Sequence, residues 1–167
     1  MKTWYPTAKQ HPLIGHSAPG TLAQRKLIVL HITAGSTAAG AISTFEQSVS
    51  PHRVSAHCVV EQDGTVTQLL PFEDTAWHAS QVNSQSVGIE HVAIPGKLMA
   101  SDAQYAASAA LVAWLCSTLG IPCDRAHVKG HNEASPQDHH ALCCEGALSA
   151  DKVVGMAVAV TAAGPSV

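Results

Sequence analysis

Residues 27–36, Leu-Ile-Val-Leu-His-Ile-Thr-Ala-Gly-Ser, decide the fold. The first four form a short continuous apolar run, which is typical of a strand buried on both faces of a sheet. His31 lies directly at the end of this run, and Gly35 and Ser36 follow as turn and N-cap residues. Apolar residues then recur at helical spacing over 38–49. The stretch therefore predicts a strand, a turn and a helix.

The elements that follow predict one mixed sheet. Asp63-Gly64 separates two β-branched runs, which is a strong short-range signal for a β-hairpin. Residues 86–92 alternate as a strand does, and a long amphipathic helix is predicted over 102–119. A short strand is expected within 125–131, before a long polar loop. This order of elements predicts an α/β fold, a single domain with a central mixed β-sheet flanked by helices.

The ends of the chain differ in composition from its middle. Residues 1–25 are rich in Pro, Gly and His and are expected to form an irregular N-terminal arm. Residues 26–155 are expected to form the folded domain, and 156–167 an apolar C-terminal tail. The chain of 167 residues is the size of one domain.

Composition excludes several classes of protein. Hydrophobic residues make up 46% and charged residues 13%, which argues against a disordered chain. A net charge of −3 with nine Lys and Arg argues against nucleic-acid binding by phosphate neutralisation. No apolar run is long enough for a transmembrane helix, and the N-terminus has no apolar core typical of a signal peptide.

Histidine is unusually abundant, with 11 residues, and neutral imidazole is the commonest metal ligand in proteins. His31 and His131 are both predicted at strand ends, where a sheet fixes the backbone and leaves one side open. Cys143 follows in the loop after the second histidine. Two His, one Cys and an open fourth position are the donor set of a catalytic zinc site.

The five cysteines do not form an even disulfide framework. Cys58 is expected to be a buried thiol among apolar neighbours. Cys116 and Cys123 could form a disulfide in an oxidising compartment, whereas the adjacent Cys143 and Cys144 are not expected to bond each other. At least one thiol is therefore left for other chemistry.

Five motifs occur in a fixed order: VLHITAG, VSAHCVVEQDGTVTQLLPF, AWHAS, NSQSVGIEHV and VKGHNEASPQDHHALCC. Together they resemble the zinc-dependent N-acetylmuramoyl-L-alanine amidases, which include AmpD-type amidases, phage lysozymes of the T7 type and peptidoglycan recognition proteins. The resemblance covers roughly residues 25 to 155 and implies an amidase domain over 26–155.

The resemblance implies that His31 and His131 are zinc ligands. The third ligand in the family is an Asp or Cys in the loop after the second His, usually followed by Pro. That Pro is missing here, and two Cys stand together. Counted forward from Cys143, Leu148 and Asp151 occupy the family's aromatic and Asp positions, so the resemblance implies Cys143 as the third ligand, with Cys144 and Asp138 as alternatives.

The resemblance also implies catalytic residues. Glu90 matches the family glutamate near the metal and would accept a proton from water that zinc has made acidic. Some members place a Lys two residues before the third ligand, where this chain has Ala141 or Leu142. His140 or the adjacent His139 could supply a hydrogen-bond donor instead.

Three further residues match positions that line the substrate groove in the family: His57, Trp77 and His78. His57 could equally be a buried histidine with satisfied hydrogen bonds, and Trp77 could be a lid over the core.

The expected function is zinc-dependent hydrolysis of the amide between N-acetylmuramic acid and the L-alanine of peptidoglycan stem peptides. One Zn²⁺ and peptidoglycan are the expected cofactor and partner. A non-catalytic peptidoglycan-binding module of the same fold is the alternative. The setting stays open between a phage endolysin, a cytosolic recycling enzyme and a secreted effector, for which an inhibitor or immunity protein could be a partner.

Overall fold

The apolar run that begins at Leu27 forms an interior strand of a six-stranded sheet. A computed structural model of the chain describes residues 2–140, 143–144 and 146–163. In chain order its strands and α-helices are β1 (Lys9–Gln10), β2 (Leu27–Ile32), α1 (Ala38–Gln47), β3 (Cys58–Val60), β4 (Val66–Gln68), β5 (Ser86–His91), α2 (Asp102–Leu119), β6 (Val128–Gly130), α3 (His131–Ala134) and α4 (Ala150–Ala163).

The sheet is mixed, which confirms the predicted fold class. Its strand order is β1-β4-β3-β5-β2-β6. β3 and β4 form the antiparallel hairpin predicted around Asp63-Gly64, and the other pairs are parallel. β2 lies between β5 and β6 and carries four buried residues in a row, because both of its faces are covered.

Helices cover both faces of the sheet. α2 and α4 pack over one face in an apolar cluster that includes Ile28 and Leu30 of β2. The second cluster contains Ile42 and Phe45 of α1 with Val59 of β3. Since successive side chains of a strand point to opposite faces, the odd-numbered residues of β2 face the same side as α1.

The helix ends follow their capping residues. The N-cap of α1 is Thr37, whose side chain accepts a hydrogen bond from the Gly40 N–H at 3.1 Å. The prediction of Ser36 as N-cap was therefore wrong by one residue. Ser101 caps α2 as its sequence position indicates, and the helix ends at Gly120 in the left-handed conformation, with φ 64°.

The terminal segments extend the domain. The arm contributes β1, which pairs parallel to β4, and Leu13, which is buried in the cluster beneath α1. At the other end, α4 continues through the expected boundary at residue 155, so part of the expected tail belongs to a helix that packs on α2. No helix in the described residues is long and apolar enough to cross a membrane.

The cysteines are free thiols in the structure. Cys58 is fully buried in the core, as its apolar neighbours predict. Cys116 is also buried, and burial with the neighbouring Cys123 raises the pKa of its thiol to about 12. The structure thus shows Cys116 and Cys123 as neighbours without a disulfide between them.

Candidate active site

His31 and Glu90 lie side by side near the carboxyl ends of two neighbouring parallel strands. They are register partners between β2 and β5, so both side chains leave the sheet on the face covered by α1. β6 pairs with the other side of β2, and His131 is the first residue after it. The ring centroids of His31 and His131 are 4.6 Å apart. The parallel topology therefore brings together residues that are distant in sequence.

Cys143 completes a group of three donors with the two histidines. One ligand atom from each of His31, His131 and Cys143 lies within 4.8 Å of the others, and Cys143 Sγ is 3.9 Å from Nδ1 of His31. Two imidazoles and a thiolate are donors that suit Zn²⁺, which binds both nitrogen and sulfur in tetrahedral sites. The donor set therefore fits the metal that the sequence predicts.

The two alternatives for the third ligand lie outside this group. The Cys144 thiol is buried and donates a hydrogen bond to the carbonyl oxygen of Leu30 at 2.8 Å. Asp138 accepts a hydrogen bond from Nε2 of His131 at 2.9 Å, on the opposite side of the ring from Nδ1. A carboxylate that holds the far nitrogen of a ligand histidine orients the ring toward a metal, so this geometry favours Cys143 as the third donor.

The electrostatics of the site favour a thiolate at Cys143 and raise the pKa of the Glu90 carboxyl. Contact with the neighbouring Cys144, followed by contact with His131, lowers the pKa of Cys143 to about 2 despite its burial. Burial raises the pKa of Glu90 above its ordinary value, although His31 opposes the shift. Glu90 Oε2 is buried and has no hydrogen-bond partner among the described residues. An unpartnered carboxylate oxygen beside three metal donors is placed to exchange a proton with water or substrate.

His31, His131 and Cys143 line an open groove of about 590 Å³. The rest of its wall combines the apolar side chains of Phe45 and Val54 with Trp77 and the cation Arg53. Polar groups also line it: Ser55, His78, Ser80, Asn83, Asp138 and His140. The groove thus offers both polar and apolar contacts to a substrate that reaches the three donors.

The expectation that His57 contacts substrate does not match its position, because the side chain is fully buried and does not line the groove. Its Nδ1 accepts a hydrogen bond from the Gly88 N–H at 3.0 Å, and its Nε2 donates to the carbonyl of Asp74 at 2.8 Å. Burial lowers the pKa of His57 to about 4. His57 is therefore a neutral histidine that joins β5 to the segment after β4.

Trp77 and His78 line the groove as expected, but His78 also contacts a metal-donor histidine. Nδ1 of His78 is 2.9 Å from Nε2 of His31, and the two rings are nearly perpendicular at 89°. Burial lowers the pKa of His78 well below its ordinary value, and the positive charge that His31 carries when protonated acts in the same direction. His78 is therefore neutral and carries one ring proton.

His140 lines the groove and stacks on His131, with ring centroids 4.7 Å apart and an angle of 16° between the rings. It is exposed, so its ring nitrogens can reach substrate. His139 has a positive φ of 56° and does not line the groove. Ala141 and Leu142, which occupy the family lysine position, lie outside the described residues.

Sequence reasoning missed two residues around the site, Arg53 and His91. Arg53 follows a turn and belongs to no helix or strand, so no sequence periodicity could indicate that it lines the groove. His91 donates from Nδ1 to the His31 carbonyl at 2.9 Å and accepts at Nε2 from Ser108 of α2. These two hydrogen bonds fix the backbone of His31 from the face of the sheet that α2 covers. The motif Gly-Ile-Glu-His could have indicated His91, because successive side chains of a strand point to opposite faces. That rule places His91 on the face opposite Glu90.

A family model described as N-acetylmuramoyl-L-alanine amidase matches residues 21–145 of the chain. The chain is 34% identical over 100 residues to the 1,6-anhydro-N-acetylmuramyl-L-alanine amidase AmpD of Salmonella typhimurium, a match that covers 55% of this chain and 52% of that protein. It is 32% identical over 136 residues to N-acetylmuramoyl-L-alanine amidase A of Achromobacter lyticus, which covers 70% of this chain and 74% of that one.

The fold also matches a solved structure. A crystal structure of an AmpD derivative superposes with a TM-score of 0.74 at 24% identity, over 92% of this chain and 96% of the other. The match confirms the predicted fold. In the sequence alignment, this chain spans about half the length of the AmpD relative.

Proposed function

Because the chain belongs to the N-acetylmuramoyl-L-alanine amidase family, we propose that it is a zinc-dependent hydrolase of peptidoglycan or its fragments. The bond that it cleaves would be the amide between the lactyl group of N-acetylmuramic acid and the L-alanine of the stem peptide. The observation that carries this proposal is the group formed by His31, His131 and Cys143 beside the unpartnered Oε2 of Glu90. The names of the relatives support the substrate class.

His31, His131 and Cys143 would hold the zinc ion through two nitrogens and one sulfur. When bound, zinc supplies Lewis acidity, which polarises a carbonyl group and makes water more acidic. Asp138 holds the His131 ring by its far nitrogen, so the donor atom of that ring keeps its direction.

Glu90 would move the proton in this reaction. Its carboxylate accepts a proton from the attacking water at Oε2, the oxygen that has no other hydrogen-bond partner among the described residues. The water oxygen bonds to the lactyl carbonyl carbon, and as the C–N bond breaks the protonated carboxyl donates its proton to the nitrogen of the departing L-alanine. The lactyl group stays on the sugar as a carboxylic acid, which loses its proton to become a carboxylate. The raised pKa of Glu90 favours the protonated state that the second transfer requires.

His140 would stabilise the negative charge that develops on the scissile carbonyl oxygen. It is an exposed donor at the groove beside His131, near the place where some family members have a lysine. A hydrogen-bond donor at a developing oxyanion contributes about 3–4 kcal/mol to transition-state stabilisation. Stacking on His131 fixes the plane of the ring.

The groove would bind the glycan and the stem peptide. Trp77 offers a flat apolar surface to a sugar ring or a peptide, and Arg53 offers a cation to a peptide carboxylate. Arg53 is held toward the groove by a hydrogen bond from Nη1 to the carbonyl of Gly15 at 2.8 Å. A substrate with both sugar and acidic peptide parts matches this wall.

The test is the release of new amino termini. Zinc-loaded protein is incubated with peptidoglycan and with soluble muropeptides, and free N-terminal L-alanine is quantified by amine labelling and mass spectrometry. We expect release by the wild type and by the surface control His127→Ala, and loss of release in Glu90→Gln. Absence of release by the wild type, together with retention on insoluble peptidoglycan, would instead support a non-catalytic binding module.

A further inference from the structure

His78 takes part in a chain of hydrogen bonds that ends on a proposed metal ligand. Ser86 Oγ is 2.7 Å from the carbonyl oxygen of Val82 and 3.2 Å from Nε2 of His78. Nδ1 of His78 is in turn 2.9 Å from Nε2 of His31. The chain therefore runs from a backbone carbonyl through two side chains to the first donor of the proposed zinc site.

The carbonyl at one end fixes the direction of every bond in this chain. A carbonyl oxygen only accepts, so Ser86 must donate its hydroxyl proton to Val82. The Ser86 oxygen then accepts from the Nε2–H of His78, which leaves Nδ1 of His78 without a proton. That nitrogen can only accept, so it receives the Nε2–H of His31.

These hydrogen bonds also determine the protonation of Nδ1, the other ring nitrogen of His31. A neutral imidazole carries one proton, so a His31 ring protonated at Nε2 has a lone pair at Nδ1. Nδ1 is the nitrogen that lies 3.9 Å from Cys143 Sγ, inside the three-donor group. The nitrogen that a metal needs is thus the one that the chain leaves unprotonated.

The His78 ring packs closely against the backbone of β5. A Cβ placed on Gly88 of β5 would lie 2.6–2.7 Å from ring atoms of His78, so the imidazole packs directly on the backbone of the strand. The Gly88 N–H is bonded to Nδ1 of the buried His57, which fixes this part of β5 from the other side. The ring therefore has little freedom to turn.

We propose that His78 is a positioning residue, which together with Ser86 holds His31 as the Nε2–H tautomer and presents Nδ1 to the metal. The role deepens the proposed function because it rests on the proposed zinc site, and it replaces the expected substrate contact of His78. His78 acts through His31 rather than on the substrate.

The tautomer can be measured without metal. In the zinc-free wild type at neutral pH, long-range ¹H–¹⁵N correlation spectra of the imidazoles should show His31 protonated at Nε2 and unprotonated at Nδ1. A His31 ring protonated at Nδ1 overturns the proposal. In Ser86→Ala the proton of His78 loses its acceptor, and we expect a second His31 tautomer to become populated. An unchanged single tautomer in this variant also contradicts the proposal.

Zinc affinity is the second readout, measured by competition with a chromophoric chelator. We expect His78→Leu to weaken zinc binding by 10- to 100-fold. We expect His78→Asn, whose amide oxygen can accept near the position of Nδ1, to stay within a few-fold of the wild type. The control His127→Ala, on an exposed histidine paired with Asp124, should not change the affinity.

The outcomes separate the two proposals. Equal zinc affinity in the wild type and His78→Leu contradicts the positioning role and leaves the zinc site intact. A wild type that binds no zinc contradicts the proposed function, and the tautomer in the metal-free protein still decides the role of His78. If His78→Leu does not fold, judged by circular dichroism, Ser86→Ala and His78→Asn carry the comparison.

Discussion

Cys143 and Cys144 are adjacent in sequence, yet their sulfur atoms have opposite surroundings. Cys143 Sγ lies among the metal donors, 3.9 Å from His31 Nδ1. Cys144 Sγ is buried and donates to the carbonyl of Leu30 at 2.8 Å. A positive φ of 77° at Cys144 turns the chain so that one thiol faces the groove and the next faces the core.

Substitution of Cys143 and substitution of Cys144 should therefore have different effects. We expect Cys143→Ser to weaken zinc binding by at least tenfold, because a hydroxyl replaces the thiolate. We expect Cys144→Ala to keep the zinc stoichiometry and to lower the free energy of unfolding by about 1–2 kcal/mol, because a buried sulfur is removed. Metal analysis by mass spectrometry and denaturant unfolding measure the two effects. The reverse pattern would identify Cys144 as the ligand.

Glu90→Gln should separate metal binding from proton transfer. The amide has the shape of the carboxylate but cannot accept the proton, so we expect kcat to fall by about 10²- to 10⁴-fold. The zinc content should equal that of the wild type, since Glu90 lies outside the three-donor group. A variant that keeps its kcat would show that another group moves the proton.

His57 should make the stability of the fold depend on pH. Burial lowers its pKa in the folded state to about 4, below its ordinary value near 6.5 in the unfolded chain. The unfolded chain therefore binds the proton more readily, and stability is complete above about pH 6.5 and is lost as the pH falls toward 4. The largest loss from this residue is roughly 3 kcal/mol.

This loss can be measured by urea unfolding of the zinc-free protein between pH 7.5 and 4.5. We expect His57→Leu to be less stable than the wild type at neutral pH, because the N–H of Gly88 and the carbonyl of Asp74 lose their partner. Its stability should nevertheless change less with pH over this range. An equal pH dependence in both proteins would exclude His57 as the source.

Gly88→Ala should disturb the site through packing alone. The new methyl group would overlap the ring of His78 at 2.6–2.7 Å, so the ring or the strand must move. We expect a loss of stability of about 1–3 kcal/mol and weaker zinc binding. Gly155→Ala is the matched control, because its methyl group meets nothing within 4 Å on helix α4. The control should gain up to about 1 kcal/mol of stability with unchanged zinc binding.

The sequence predicted well wherever one local signal decides the outcome. The Asp63-Gly64 hairpin and the helix over 102–119 match the structure, because turn and capping residues act on their immediate neighbours. The strand that ends near His31 follows from a continuous apolar run, which only a strand covered on both faces sustains.

The sequence predicted less where distant contacts decide. Nothing local distinguishes the buried His57 from the groove-lining His78, since each is next to an Ala and two positions from a Ser. Their roles depend on what the rest of the sheet places around them, such as the Gly88 N–H and the Ser86 hydroxyl. Likewise, the choice between Cys143 and Cys144 depends on one backbone angle in an irregular loop.

The donors His31 and Cys143 lie 112 positions apart in the chain. An ion bound to both would close a loop of that length, much as a crosslink does, and would restrict the unfolded chain more strongly than a short loop could. Occupancy of the site and resistance of the domain to unfolding would then rise and fall together. The three side chains that would bind the catalytic zinc ion would thus also form, with that ion, a reversible crosslink that stabilises the whole fold.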